Sequence, residues 1–141
     1  MQLDDLYREV IMDHYQHPRN QGELAEDAKS VDLRNPSCGD EIKLQLKIEN
    51  GIVTDVRFKG SGCSISMSSA SMMTEAIKGL PVDEALALSK TFRNMMKGDE
   101  VDTEDLGDIE ALQGVSKFPA RIKCATLAWQ ALEKAAHSDD K

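Results

Sequence analysis

From Ile42 to Phe58 the chain keeps an alternating pattern that a hairpin with one buried face satisfies. Ile42, Leu44, Leu46 and Ile48 are separated by Lys43, Gln45 and Lys47. After Asn50-Gly51, the residues Ile52, Thr54, Val56 and Phe58 take up the same beat. Successive side chains of a strand point to opposite faces, so each run offers one apolar face. Asn-Gly tolerates positive φ at both central positions of a two-residue turn, which makes Asn50-Gly51 the hairpin. Val31 and Leu33 also alternate with polar neighbours and predict a third, short strand.

A sheet with one apolar face needs cover, and the rest of the chain reads as helices that supply it. Leu3, Leu6, Tyr7, Val10, Ile11 and His14 recur at helical steps; Asp4 and Asp5 suit the first turn, and Pro18 stops the run. "HPRNQGELAED" follows as an exposed loop. A helix after Cys63 ends at Gly79, and a second opens at Pro81, faces inward with Ala85, Leu88, Phe92, Met95 and Met96, and ends at Gly98. The acidic "DEVDTEDLGDIE" reads as a solvated loop. Pro119 opens a last helix with Ile122, Ala125, Trp129, Leu132 and Ala136 on its inner face. Methionines at helical spacing belong to the core. The expected architecture is α+β: a small, mostly antiparallel three-stranded sheet packed against helices. It forms a single domain over 1–141, with 138–141 a frayed tail.

Charge and hydropathy exclude several function classes. A net charge of −8 is wrong for nonspecific nucleic-acid binding, which needs a positive field. No apolar run reaches the ~18 residues of a membrane helix. "MQLDDLYREV" lacks the layout of a signal peptide, so a cytoplasmic location is expected. In that reducing compartment, three cysteines do not form a disulfide framework.

Those cysteines sit in turns or at helix starts. Cys38 lies in "LRNPSCGDEIKL", just ahead of the first long strand. Cys63 lies in "KGSGCSIS", just after the second, where Gly60 and Gly62 let the backbone bend and leave room above the thiol. The start of one hairpin strand and the end of its partner lie side by side, so these two thiols can meet. The helix beginning at Cys63 brings its positive end to the sulfur and favours the thiolate. Cys124 lies in the first turns of the last helix. Clustered thiolates repel, and zinc, with its preference for sulfur in a tetrahedron, is the natural ion to hold them. His14, His17 and His137 are poorly placed for a fourth position. Asp40 shares a turn with Cys38 and is better placed; its alternative role is to cap its own backbone. Three buried thiols acting as small hydrophobes is the other alternative. There is no C-x₂-C pair, so spacing alone does not name a known zinc module.

"NPSCGD", "GSGCSISMSSASMM" and "KCATLAW" closely resemble, in order, the three cysteine motifs of the IscU/NifU-like family. "LYREVIMDHYQHPRNQG" is similar to that family's N-terminal helix and loop. Two features resemble its SufU branch. Lys123 stands where the scaffold branch has a histidine before the last cysteine. The segment "LGDIEALQGVSKFPARIKC" also makes the path from Cys63 to Cys124 longer. The resemblance implies a zinc-dependent sulfurtransferase with Cys38, Asp40, Cys63 and Cys124 as ligands of Zn²⁺. The implied partner is a SufS-type cysteine desulfurase, a pyridoxal phosphate enzyme, with SufBCD-type cluster assembly machinery downstream. Cys38 is favoured as sulfur acceptor, with Cys124 its rival. Arg121, three residues before Cys124, is expected to bond Asp40 or offset the site's negative charge; the alternative is a surface arginine in a salt bridge. Two other functions stay open: a scaffold that builds an iron–sulfur cluster on the same ligands, and a non-catalytic zinc adaptor.

Overall fold

A computed structural model describes residues 3–24, 28–35, 39–99, 101 and 106–137, with residues 3–7 and 137 in backbone alone. The sheet has three antiparallel strands in the order β1 (Lys29–Asn35), β2 (Asp40–Glu49), β3 (Ile52–Ser61). Leu44 stands opposite Val31 on one side and Phe58 on the other. Ile42, Leu44, Leu46, Val56 and Phe58 are all buried on one face. Asn50 and Gly51 both take positive φ, 55° and 78°, and close the hairpin.

The alternation breaks near that turn. The register shifts between Lys47 and Ile48, so Val53, and not Thr54, points into the core. Thr54 is the extra residue, and its hydroxyl donates to Lys47 O at 3.1 Å. A bulge inserts one residue and reverses the facing of what lies beyond it.

Four α-helices follow the expected order: α1 (Leu3–Gln16), α2 (Ser64–Ile77), α3 (Val82–Met96) and α4 (Pro119–His137). α4 packs on β1 and β2, α2 on β3, and the two helices pack on each other, with α1 outside α2 and α3 against α4. Trp129 locks this layer. Its ring stacks on Phe92 of α3 with centroids 4.7 Å apart, and its Nε1–H donates to Ser69 Oγ of α2 at 3.0 Å. The Ser69 hydroxyl in turn donates to Ala125 O at 2.6 Å. Aromatic stacking and satisfied buried donors together fix how α2 and α4 meet. Met67, Met72, Met73, Met95 and Met96 are buried, as their spacing requires.

Two stretches differ from the sequence reading. Residues 20–22 are not a free loop. Phe58 N–H donates to Asn20 O at 3.1 Å and Gly22 N–H donates to Phe58 O at 2.9 Å, so the segment covers the outer edge of β3. An uncovered edge strand is open to unwanted pairing, and a short run of backbone bonds blunts it. The end of the acidic segment is also structured. Gly107–Lys117 forms a 3-10 helix, and Leu106, Ile109, Leu112 and Val115 are buried. Those apolar residues recur every third position, which is the 3-10 period and not the α-helical one. Residues 102–105 and the tail at 138–141 lie outside the described residues. None of the described helices is long and apolar enough to cross a membrane.

Candidate metal centre

The hairpin register builds the site. Glu41 pairs with Ser61, so Asp40 at the start of β2 lies abreast of the residues that leave β3 for α2. Cys63 is the N-cap residue of α2, and its N–H donates to Asp40 Oδ1 at 3.0 Å. The Trp129–Ser69 lock holds α4 alongside α2 and brings Cys124 to the same point. Ligand atoms of Asp40, Cys63 and Cys124 all lie within 4.8 Å of one another. Three segments far apart in the chain thus converge on a space the size of one ion.

Burial is uneven around that space. Asp40 is 1% exposed and Cys124 0%, whereas Cys63 is half-buried and opens the site to one side. Burial pushes the Cys63 thiol up. Hydrogen bonds from the Ser66 backbone N–H, the Cys124 thiol and the Ser66 hydroxyl outweigh that, and leave it below the ordinary thiol value although Asp40 opposes them. Gly62 is needed for packing: a Cβ there would meet Asp40 Oδ1 at 2.5 Å and Ser66 Oγ at 2.6 Å. The room it leaves is therefore for the carboxylate and not, as its sequence suggested, for the thiol.

The donor set fits zinc. Asp40 Oδ2 is buried and has no hydrogen-bond partner among the described residues. A buried carboxylate oxygen without a partner is costly, and a cation beside it removes that cost. Two thiols and a carboxylate within 4.8 Å match the sulfur and oxygen donors of a tetrahedral zinc, whose Zn–S bonds of about 2.3 Å place sulfurs about 3.8 Å apart.

The other sequence candidates fall as follows. Cys38 lies outside the described residues. On either side of the undescribed residues 36–38, Gly39 N–H donates to Asn35 O at 2.8 Å. Arg121 is exposed, and its side chain makes no hydrogen bond or ion pair among the described residues; it lines a groove beside Ser64 and Phe118. His14 is buried away from the thiols, bonded to Ser71 and Asp108, and His17 is exposed. The side chain of His137 lies outside the described residues. Sequence reasoning missed Ser66, one helical turn beyond Cys63, whose Oγ lies 3.8 Å from the Cys63 sulfur. Its position three residues after the cysteine was the available signal.

A family profile described as the NifU-like N-terminal domain matches residues 6–125. The chain belongs to this family. It is 65% identical over 133 residues to the zinc-dependent sulfurtransferase SufU of Bacillus subtilis (strain 168), covering 94% of this chain and 90% of that one. It is 46% identical over 134 residues to the iron–sulfur cluster assembly scaffold protein IscU of Streptococcus pyogenes serotype M1, covering 94% and 84%. The solved structure described as an iron–sulfur cluster assembly scaffold protein for the SUF system (FiSufU) from Fervidobacterium islandicum AW-1 superposes with a TM-score of 0.87 at 38% identity, covering 96% of this chain and 99% of that one. The three-stranded antiparallel sheet with its helices is thus the fold of NifU-like relatives. The family match at 6–125 includes Asp40, Cys63 and Cys124.

Proposed function

We propose that the chain is a zinc-dependent sulfurtransferase that accepts sulfur from a cysteine desulfurase and relays it to iron–sulfur cluster assembly. The observation that carries this reading is the convergence of Asp40, Cys63 and Cys124 around a buried carboxylate oxygen that has no partner among the described residues. The likeness to the Bacillus subtilis sulfurtransferase supports it. Asp40, Cys63, Cys124 and Cys38 would hold Zn²⁺, and all four fall within one domain. When bound, the zinc holds its cysteine ligands as thiolates at neutral pH.

The chain's own residues then divide the work. Asp40 offers an oxygen ligand that stays in place when a sulfur leaves. Cys124 is fully buried on a packed helix, which weighs against it as the acceptor. Cys38 is the acceptor in this reading: in the sequence it stands between the end of β1 at Asn35 and the start of β2 at Asp40, next to Gly39, whose φ of 76° shows that the chain bends there. The donor is a persulfide on the desulfurase, a pyridoxal phosphate enzyme of the SufS type. The Cys38 thiolate attacks the outer sulfur of that persulfide. A new S–S bond forms on Cys38, the donor S–S bond breaks, and the donor cysteine leaves as a thiolate, so no external oxidant or reductant is needed. Arg121, close in sequence to Cys124, offsets the negative charge of the site. A SufBCD-type assembly then receives the sulfur, and the relay takes place in the cytoplasm.

Incubation with a SufS-type desulfurase and cysteine, followed by mapping of trapped adducts by mass spectrometry, tests this. The expected result is extra sulfur on the Cys38 peptide and loss of desulfurase stimulation in Cys38→Ala. Extra sulfur on the Cys124 peptide alone would move the acceptor role there; none on any cysteine would leave an adaptor. The Streptococcus pyogenes likeness supports a scaffold as second reading. Colourless protein containing zinc, rather than brown protein containing a cluster, decides against it.

A further inference from the structure

Beside Cys63 the surface opens into a groove of about 680 Å³ between α1, the start of α2, the 3-10 helix and the start of α4. Its floor is apolar, with Ile11, Ile65 and Val115. Its lip carries Phe118, 60% exposed and the most exposed large hydrophobic among the described residues. The charges around it run against the rest of the molecule. The chain carries a net −8, yet Arg8, Lys117 and Arg121 line this groove, and no carboxylate does among the described residues. Arg8 and Lys117 are exposed and form no ion pair with a described acid, so their charge is available to a partner.

From this we infer that the groove is the docking seat for the desulfurase, and that it takes a segment of that enzyme in which an apolar side chain is flanked by carboxylates. The inference rests on the sulfurtransferase reading and names where its partner sits. Three observations select this occupant. The apolar floor and exposed Phe118 need an apolar anchor, because uncovered aromatic surface of this kind marks an interaction site. The cations, unopposed by local acids, need negative charge and would speed its approach. Ser64 and Ile65 directly follow Cys63, so whatever fills the groove is held beside the sulfur site. A second copy of the chain fits less well, since an apolar anchor with acids at this spacing would have to come from its own surface.

The test measures affinity and sulfur transfer separately, on zinc-loaded full-length protein with the pyridoxal phosphate-loaded desulfurase. Isothermal titration gives the Kd for wild type, for the double variant Arg8→Glu/Lys117→Glu and for Phe118→Ser. All three substituted side chains are exposed, and zinc content and circular dichroism verify that the variants fold. The charge reversal is expected to raise Kd tenfold or more at low salt, with a smaller difference from wild type at 0.5 M salt, where screening shortens the reach of charges to about 4 Å. Phe118→Ser is expected to raise it severalfold at either salt. Values within twofold of wild type for both variants overturn the groove as the seat. Self-association lost in the variants with an unchanged desulfurase Kd assigns the groove to a second copy, and also overturns it. Wild type that binds with the expected variant effects but gains no sulfur on any cysteine overturns the relay reading and leaves the groove standing. Wild type that does not bind the desulfurase overturns both.

Discussion

Two polar clusters lie toward opposite ends of α2, and they have opposite unmet needs. Each gathers three residues able to ligate a metal within 4.8 Å: Asp40, Cys63 and Cys124 at one end, His14, Glu75 and Asp108 at the other. In the second cluster both ring nitrogens of His14 are engaged. Nδ1 meets Ser71 Oγ at 2.7 Å and Nε2 meets Asp108 Oδ2 at 2.9 Å. An ionised carboxylate only accepts, so the ring proton sits on Nε2. The Arg19 guanidinium lies within electrostatic reach of Glu75 and Asp108, and supplies the positive charge that two acids would otherwise seek from an ion. At the thiol end two sulfurs lie within 4.8 Å of each other and of the Asp40 carboxylate, whose Oδ2 has no hydrogen-bond partner among the described residues. A cluster that satisfies itself is a strut between helices; one that leaves a charge and an oxygen unmet is a site.

Metal removal separates the two most sharply. Structural zinc contributes about 10–16 kcal/mol of apparent binding energy in peptides that fold only around it. This chain has its own core around Trp129 and Phe92, so stripping zinc with a chelator is expected to lower Tm by ten degrees or more without unfolding at room temperature. Calorimetry before and after verified removal checks this. An unchanged Tm would mean that the thiol end does not tie its three segments together. Re-addition of zinc is expected to restore the transition once, with a stoichiometry of one ion, because the His14 cluster takes none.

Asp40→Ala comes next. It removes the oxygen ligand but leaves the thiols, so zinc affinity is expected to fall by tenfold or more while circular dichroism stays unchanged. Competition with a chromogenic chelator reads the affinity. Wild-type affinity and wild-type sulfur acceptance together would reduce Asp40 to a turn residue. Gly62→Ala is expected to shift affinity in the same direction by a smaller factor, since its Cβ would press on Asp40 Oδ1 and Ser66 Oγ.

The thiol end was legible in the sequence because its chemistry is concentrated in a few residue types. The hairpin that Asn50-Gly51 closes sets Asp40, at the start of one strand, abreast of Cys63, just behind its partner, while the expected meeting of Cys38 with Cys63 lies outside the described residues. The His14 end was not legible. His14 falls on an apolar helix stripe, and nothing local shows that Ser71 and Asp108 will turn a core position into a polar junction. The 3-10 helix was hidden by its acidic approach and by its period of three, which neither the helical nor the strand template matches. Arg121 was read as bonding Asp40 or offsetting the site's charge, with a surface arginine as the alternative; its exposed position on the groove wall depends on how α4 meets the 3-10 helix, a tertiary fact no spacing records.

His14→Ala should therefore have the reverse signature to Asp40→Ala. It deletes a fully buried ring and two hydrogen bonds, leaving Asp108 and Ser71 without that partner. The expected cost is about 2–4 kcal/mol of stability, with zinc content and affinity unchanged. Urea denaturation of the zinc-loaded protein, paired with metal analysis, reads both. Loss of zinc in this variant would mean that the two ends of α2 are coupled and that the strut also positions the site.

The smallest effect lies at the rim of the His14 cluster, where Arg19 Nη2 donates to Asp13 Oδ2 at 2.7 Å while Arg19 N–H donates to Ser71 Oγ at 2.9 Å. That hydrogen bond from Arg19 holds the Asp13 carboxyl below its ordinary value of 3.8, against a slight opposing effect of desolvation. A carboxyl whose value is depressed by folding adds stability above its unfolded value and loses it as pH falls through the folded one. The clip should therefore act fully at pH 7 and fade only below about pH 4. Asp13 is exposed, and water and salt screen such a pair. Asp13→Asn is accordingly expected to lower Tm by no more than a degree or two at pH 7 and low salt. The difference from wild type should shrink at 0.5 M salt and diminish as the pH falls below about 4. A difference that neither salt nor acid reduces would have to come from packing of the Asp13 side chain rather than its charge. A difference as large as that of His14→Ala at pH 7 would place Arg19 among the struts, holding Ser71 and through it the ring of His14.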